Sequence, residues 1–234
     1  MNIGFSTGFL HKEISPTSIR ALEICRTVST EAIEINCIGG LHENGHSASL
    51  IGACDVSGFR QVSLHSPSKV RYGNDASTRD LLAEIQKMCL AIPVKVVVFH
   101  PDLVDCWEIF SEFDIPYAFE NMDHRKTFGK SVSDLRYVFS RCDSGFVLDL
   151  NHCYSIDPTM ATARELIERF GDRLCEIHLS GFAGYHELLC DTLQTGIMDA
   201  MPDLDVPIIL ESGCESVTDV RREYEYVSAY MRNR

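Results

Sequence analysis

Residues 94–100 read VKVVVFH, a nearly all-apolar run that stops on a histidine. Residues 206–211, VPIILE, repeat the pattern and stop on a glutamate. Runs of this kind are buried on both faces, as strands of a parallel sheet are. Outward from these two, further β-rich runs fall at 2–6, 32–37, 61–65, 116–120, 145–149 and 174–178. Helical spacing fills the intervals. It is clearest over 78–90, where Leu81, Leu82, Ile85, Met88 and Cys89 share one face and Asp80, Glu84 and Lys87 lie elsewhere. Segment 15–28 opens on Ser15 and Pro16, a helix-start pair. Segment 158–170 lies between Asp157, an N-cap residue type, and Gly171, the expected C-cap. An amphipathic pattern follows Glu211 to the C-terminus.

Eight βα units over the chain, about 29 residues each, predict an α/β fold: a single (β/α)8 TIM barrel spanning 1–234. The last helix is placed to close the barrel against the first strand. A doubly wound nucleotide-binding sheet would carry G-x-G-x-x-G after its first strand, and that motif is missing.

Composition narrows the function. A net charge of −13 opposes nonspecific binding to nucleic acid or membrane and suits cations. No basic start with a long apolar run opens the sequence, and no apolar stretch nears the roughly 18 residues that span a bilayer. The ten cysteines form no C-x-x-C pair. They read as reduced, mostly small core residues in a cytoplasmic protein.

The last six strands each end in a metal-ligand residue type: VSLH (His65), VVVFH (His100), YAFE (Glu120), FVLD (Asp149), CEIH (His178) and IILE (Glu211). Nine histidines and 34 acidic residues in 234 occupy about one position in five, so six in a row exceeds chance. In a barrel these side chains converge at the mouth, where active sites sit. Crowded carboxylates repel and resist desolvation, and a divalent cation is the natural compensation. Glu34 and Asn36 read as polar barrel lining. His11, His42, His46 and His124 read as solvated.

The motifs H-S-P at His65, F-H-P at His100, F-E-N at Glu120, L-D-x-x-H at Asp149 and His152, E-I-H-L at His178 and L-E-S at Glu211 resemble those of the xylose isomerase-like barrel superfamily. That superfamily includes sugar isomerases and epimerases and the apurinic endonucleases of the endonuclease IV type. The resemblance implies one metal held by Glu120, Asp149, His178 and Glu211. In its epimerase branch Glu120 and Glu211 would also be the catalytic acid/base pair. In its endonuclease branch His65 and His100 would hold a second metal with Glu120 as bridge. His152 and His186 would belong to a third site, whose remaining aspartate is Gly184 here. Asn121 would orient Glu120 or bind substrate, and His152 would steady a substrate hydroxyl. The oxygen-rich four-ligand set suits Mn2+, Mg2+ or Co2+, and added histidines favour Zn2+.

The first expectation is therefore a metal-dependent isomerase or epimerase of a small sugar, sugar phosphate or related hydroxy-carbonyl compound. The alternatives are a two-metal phosphoester hydrolase and a barrel that binds metal or ligand without catalysis. Apurinic endonuclease activity is not expected. Gly184 leaves the third site short of a ligand, and loops 66–76 and 121–130 carry few basic residues against the overall charge. The expected partner is a small-molecule substrate, not nucleic acid or membrane. A homo-oligomer remains open.

Overall fold

The computed structural model describes residues 2–43 and 45–233. Eight strands line up in chain order: β1 (Ile3–Ser6), β2 (Ala32–Asn36), β3 (Gln61–His65), β4 (Val94–Phe99), β5 (Tyr117–Glu120), β6 (Gly145–Asp149), β7 (Leu174–Leu179) and β8 (Ile208–Leu210). Each pairs in parallel with the next. The register Ile3 to Ile208 joins β8 back to β1, so the barrel is closed.

Strand side chains alternate between the two faces. Outward residues such as Phe5, Ile33, Leu64, Phe99, Phe119, Leu148 and Leu210 belong to the main core under the helices. Inside, Val96, Val98, Ala118 and Val147 form a separate apolar plug. Beside that plug, partly in register with it, the lining is polar, with Glu34, Asn36, Ser63, Glu176 and His178 all buried. Glu34 and Asn36 therefore do line the barrel.

The helix over 78–90 runs as Ala76–Ala91, with Asp75 accepting from the Thr78 N–H as N-cap. The C-terminal helix is Val217–Asn233. It packs on β1, with the Tyr224 and Phe5 rings 6.2 Å apart. Two local expectations are corrected. The first helix is Ile19–Arg26 and starts at Ser18, because Ser15 and Thr17 bond each other in a preceding turn. The helix after β6 splits into Leu150–Ile156 and Ala161–Phe170. Asp157 accepts from the Thr159 N–H in the loop between them and from the Ala161 N–H at the start of the second helix, and Met160 takes the left-handed conformation at φ 58°. That helix ends at Phe170 with Gly171 as its C-cap, as expected, in a right-handed conformation that leads into a 3-10 turn.

The β-α alternation also weakens between β4 and β5, where only short 3-10 turns, Pro101–Leu103 and Glu108–Glu112, connect the strands. Aromatic packing takes the helix's place. Phe110 stacks edge-on to Phe99 at 5.0 Å and to Phe119 at 5.4 Å, and Trp107 meets Phe119 at 5.3 Å. Among the described residues no helix is long and apolar enough to cross a membrane. All ten cysteines are free thiols.

Candidate metal centre

The six ligand-type residues sit within one residue of the C-terminal ends of β3 to β8, and the barrel gathers them. Glu120 is the hub. Its Oε1 lies 2.9 Å from His178 Nδ1, while its Oε2 lies 3.1 Å from His100 Nε2 and 3.7 Å from His65 Nε2. The two imidazole Nε2 atoms are themselves 3.2 Å apart. On the other side, Glu211 Oε2 lies 3.3 Å from His178 Nδ1. One ligand atom from each of Glu120, Asp149, His178 and Glu211 falls within 4.8 Å of the others, and the same holds for His65, His100 and Glu120.

Backbone acceptors fix which nitrogen is free. A carbonyl oxygen only accepts, so His65 Nδ1 donates to the Ser66 carbonyl at 3.0 Å and His152 Nδ1 to the Asn121 carbonyl at 2.8 Å. In the neutral ring each Nε2 would keep its lone pair for a ligand. His152 is held by its own helix start, its N–H donating to Asp149 Oδ1 at 2.8 Å. Its ring lies 5.6 Å from that of His186, and the two share a further ligand group with Asp149. Gly184, at φ 143°, contributes no side chain there.

These residues fit divalent cations. Glu120 Oε2 and Asp149 Oδ2 are buried without an aligned hydrogen bond, and His100 Nδ1 is likewise unpartnered. Each buried orphan costs about 1–3 kcal/mol, and a cation would satisfy the two oxygens at once. In the metal-free site burial raises Asp149, while the imidazoles and the remaining carboxylates hold one another charged. Burial pushes Asp149 up to about 7. Burial would lower His65, but the Glu120 hydrogen bond and the surrounding carboxylates raise it to about 9. Burial would raise Glu211, but the charge and hydrogen bond of His178 hold it at about 2. Burial lowers His186 to about 4, which keeps its imidazole neutral.

Two residues differ from their sequence reading. Asn121 is fully buried, and its amide is spent on Asp149, accepting from its N–H at 2.8 Å and donating to its carbonyl at 2.9 Å. It ties β5 to β6 and does not face the cleft. Glu176 escaped the sequence reading, although a glutamate two residues before a strand ligand must share its face. Its Oε1 lies 3.2 Å from His178 Nε2. His42, His46 and His124 are exposed as expected. His11 is exposed too, and reaches the rim of a cavity.

That cavity, of about 200 Å³, opens beside Glu211 and is lined by Ser6, Asn36, Lys69 and Tyr185. A second, of about 190 Å³, lies over His65, His100 and Glu120 and takes in Arg125 and Lys126. Tyr185, His186 and Glu211 line both, so they form one cleft above the ligand cluster.

No family model and no curated relative matches the chain. Solved structures do. Endonuclease IV from Thermus thermophilus superposes with a TM-score of 0.69 at 17% identity, covering 94% of this chain and 97% of that one. D-psicose 3-epimerase from Clostridium cellulolyticum gives 0.62 at 12% identity, covering 100% and 99%. A xylose isomerase domain-containing protein from Salmonella typhimurium gives 0.61 at 11%, covering 99% and 96%. The fold is that of the xylose isomerase-like TIM barrels.

Proposed function

We propose that this xylose isomerase-like barrel is a metal-dependent enzyme that holds two divalent cations across Glu120 and hydrolyses a phosphate ester of a small substrate. One observation carries the reading. Glu120 turns its two oxygens to different ligand sets, Oε2 to His65 and His100 and Oε1 to His178. A carboxylate so divided supports a bridging role between two cations. Bound there, the cations would supply Lewis-acid polarisation of the phosphoryl group and a more acidic water. The chain supplies the rest. Asp149 and Glu211 complete the ligand set beside Glu120 and His178. Arg125 and Lys126 line the cleft, each already paired with an aspartate, Asp123 and Asp102, so an anionic substrate would have to compete for them. Hydrolysis puts a water oxygen on phosphorus, breaks the ester P–O bond and leaves a proton for the departing alkoxide. A cleft of this size suits a small ester, not a duplex.

The isomerase or epimerase reading stands second. It needs Glu120 to take a proton from a substrate carbon. Glu120 is 1% exposed, and both of its oxygens already face imidazoles. Glu211 is better placed for such a step, since it lines the cleft opposite Ser6 and Asn36, which could bond sugar hydroxyls.

The test is incubation with p-nitrophenyl phosphate and its bis-ester under Co2+, Mn2+ or Zn2+. Turnover that disappears in His100→Ala supports the proposal. Deuterium uptake from D2O into a ketose, with no ester cleavage, would replace it with the second reading.

A further inference from the structure

We infer that Glu34 and Glu176 are positioning residues, which hold His178 by its Nε2–H from below and so aim its Nδ1 at the cation site. The inference rests on the metal-dependent reading and extends it to two residues that touch no substrate.

His178 is fully buried and lies between two carboxylate groups above and two below. Its Nδ1 faces Glu120 at 2.9 Å and Glu211 at 3.3 Å. Its Nε2 faces Glu176 at 3.2 Å and Glu34 at 3.3 Å. The lower pair comes from opposite parts of the barrel. Glu176 shares β7 with His178, two residues earlier, and Glu34 reaches across from β2. Their exposures are 2% and 0%, and neither Glu34 oxygen has an aligned hydrogen bond.

This level of a TIM barrel is ordinarily filled by branched apolar side chains. The apolar plug of Val96, Val98, Ala118 and Val147 shows that this chain builds that way elsewhere. Two bare carboxylates in its place are costly to desolvate, and such groups cost stability more often than they give it. Both face the ring nitrogen that points away from the cation site. Carboxylates accept and do not donate, so they select the tautomer with hydrogen on Nε2. Glu120 and Glu211 face Nδ1 as acceptors too, so it is a cation among the Glu120, Asp149 and Glu211 oxygens that would take the Nδ1 lone pair, with the lower carboxylates keeping the proton on Nε2. An acceptor behind a ligating histidine fixes ring orientation and raises ligand basicity, and its loss typically costs about 10–100-fold in metal affinity.

The experiment measures Co2+ affinity by titration calorimetry on the full chain and on two double variants. In Glu34→Leu/Glu176→Leu no acceptor remains, and Co2+ should bind about 10–100-fold more weakly. In Glu34→Gln/Glu176→Gln the amide oxygens can still accept, and affinity should stay near wild type. The metal-free leucine variant should melt no lower than wild type, since it loses buried charge, whereas a merely structural pair would lower the melt and leave affinity alone. Nitrogen-15 spectra of the unmutated Zn2+-loaded protein should show His178 protonated at Nε2, a readout that survives any folding failure of the variants. Unchanged Co2+ affinity in the leucine variant, a bare Nε2, or loss of one whole equivalent of cation on removing Glu34 would overturn the inference. A wild-type chain that takes up no Co2+ would instead remove the metal-dependent reading itself, and this inference with it.

Discussion

Replacing Glu223 tests how the site is held. Glu223 lies on the last helix, 0% exposed, with no cation beside it. Its Oε1 accepts from the Leu189 N–H at 2.8 Å and the Ser212 hydroxyl at 2.6 Å, and its Oε2 accepts from the Cys190 N–H at 3.0 Å. Two donors at the start of the short helix Leu189–Thr192 and one in the loop after β8 thus converge on one carboxylate. His186 lies in the loop just before that helix, and Ser212 adjoins Glu211. Glu223→Ala strands all three donors, and breaking a buried charged network costs about 3–5 kcal/mol. In a chain of this length each kcal/mol shifts the melting midpoint by about 2–4 °C, so the drop should be roughly 6–20 °C. Glu223→Gln keeps one oxygen for Leu189 and Ser212 but turns an amide NH2 on Cys190, and should lose about 1–3 kcal/mol. The assay is thermal melting by circular dichroism on metal-free protein. Two variants that melt within a degree of wild type would refute the reasoning.

Acid should destabilise the metal-free protein through His186, whose folded value of about 4 lies below the ordinary 6.5. Between those values the unfolded chain binds more protons, so stability is complete above the upper one and falls as pH drops toward the lower, by up to roughly 3 kcal/mol. Chemical denaturation at pH 7 and 4.5 should show a shallower loss in His186→Asn, and equal losses would contradict the assignment. Phe110→Ala opens the aromatic cluster between β4 and β5 and should cost about 3–5 kcal/mol. A loss below about 1 kcal/mol would mean that the cluster does not replace the absent helix. Duplex DNA carrying an abasic site should stay intact with Zn2+ or Mn2+ present, and efficient incision lost on mutating Glu120 would show that neither the net charge nor the missing side chain at Gly184 bars a duplex.

The barrel and its ligand ring were legible because both lie in local pattern. Apolar runs mark the strands, and the residue type that stops each run marks the mouth. The Glu176–His178 relation was equally local, since E-I-H places both carboxylate and imidazole on one strand face. Other features lie outside any local window. Glu34 reaches His178 across the barrel, and Glu223 bonds residues 34, 33 and 11 positions away. Asn121 looked like a site residue by adjacency to Glu120, but its amide is satisfied by a backbone 28 residues on. The helix starts at Ser15 and Asp157 carried correct capping chemistry, yet competing turns moved both helices three residues later. The missing helix after β4 had no negative signal, because Trp107, Ile109 and Phe110 supply apolar residues at helix-like density while packing as turns.

Metal content tests the division of Glu120 most directly. The purified chain, loaded with Co2+ or Zn2+ and desalted, would be analysed by mass spectrometry for cations per chain, alongside a His65→Ala/His100→Ala variant. Two equivalents in the wild type and one fewer in the variant are expected, because the variant removes one ligand set and leaves Glu120, Asp149, His178 and Glu211. A single equivalent in the wild type, or the same content in both proteins, would contradict the bridging role.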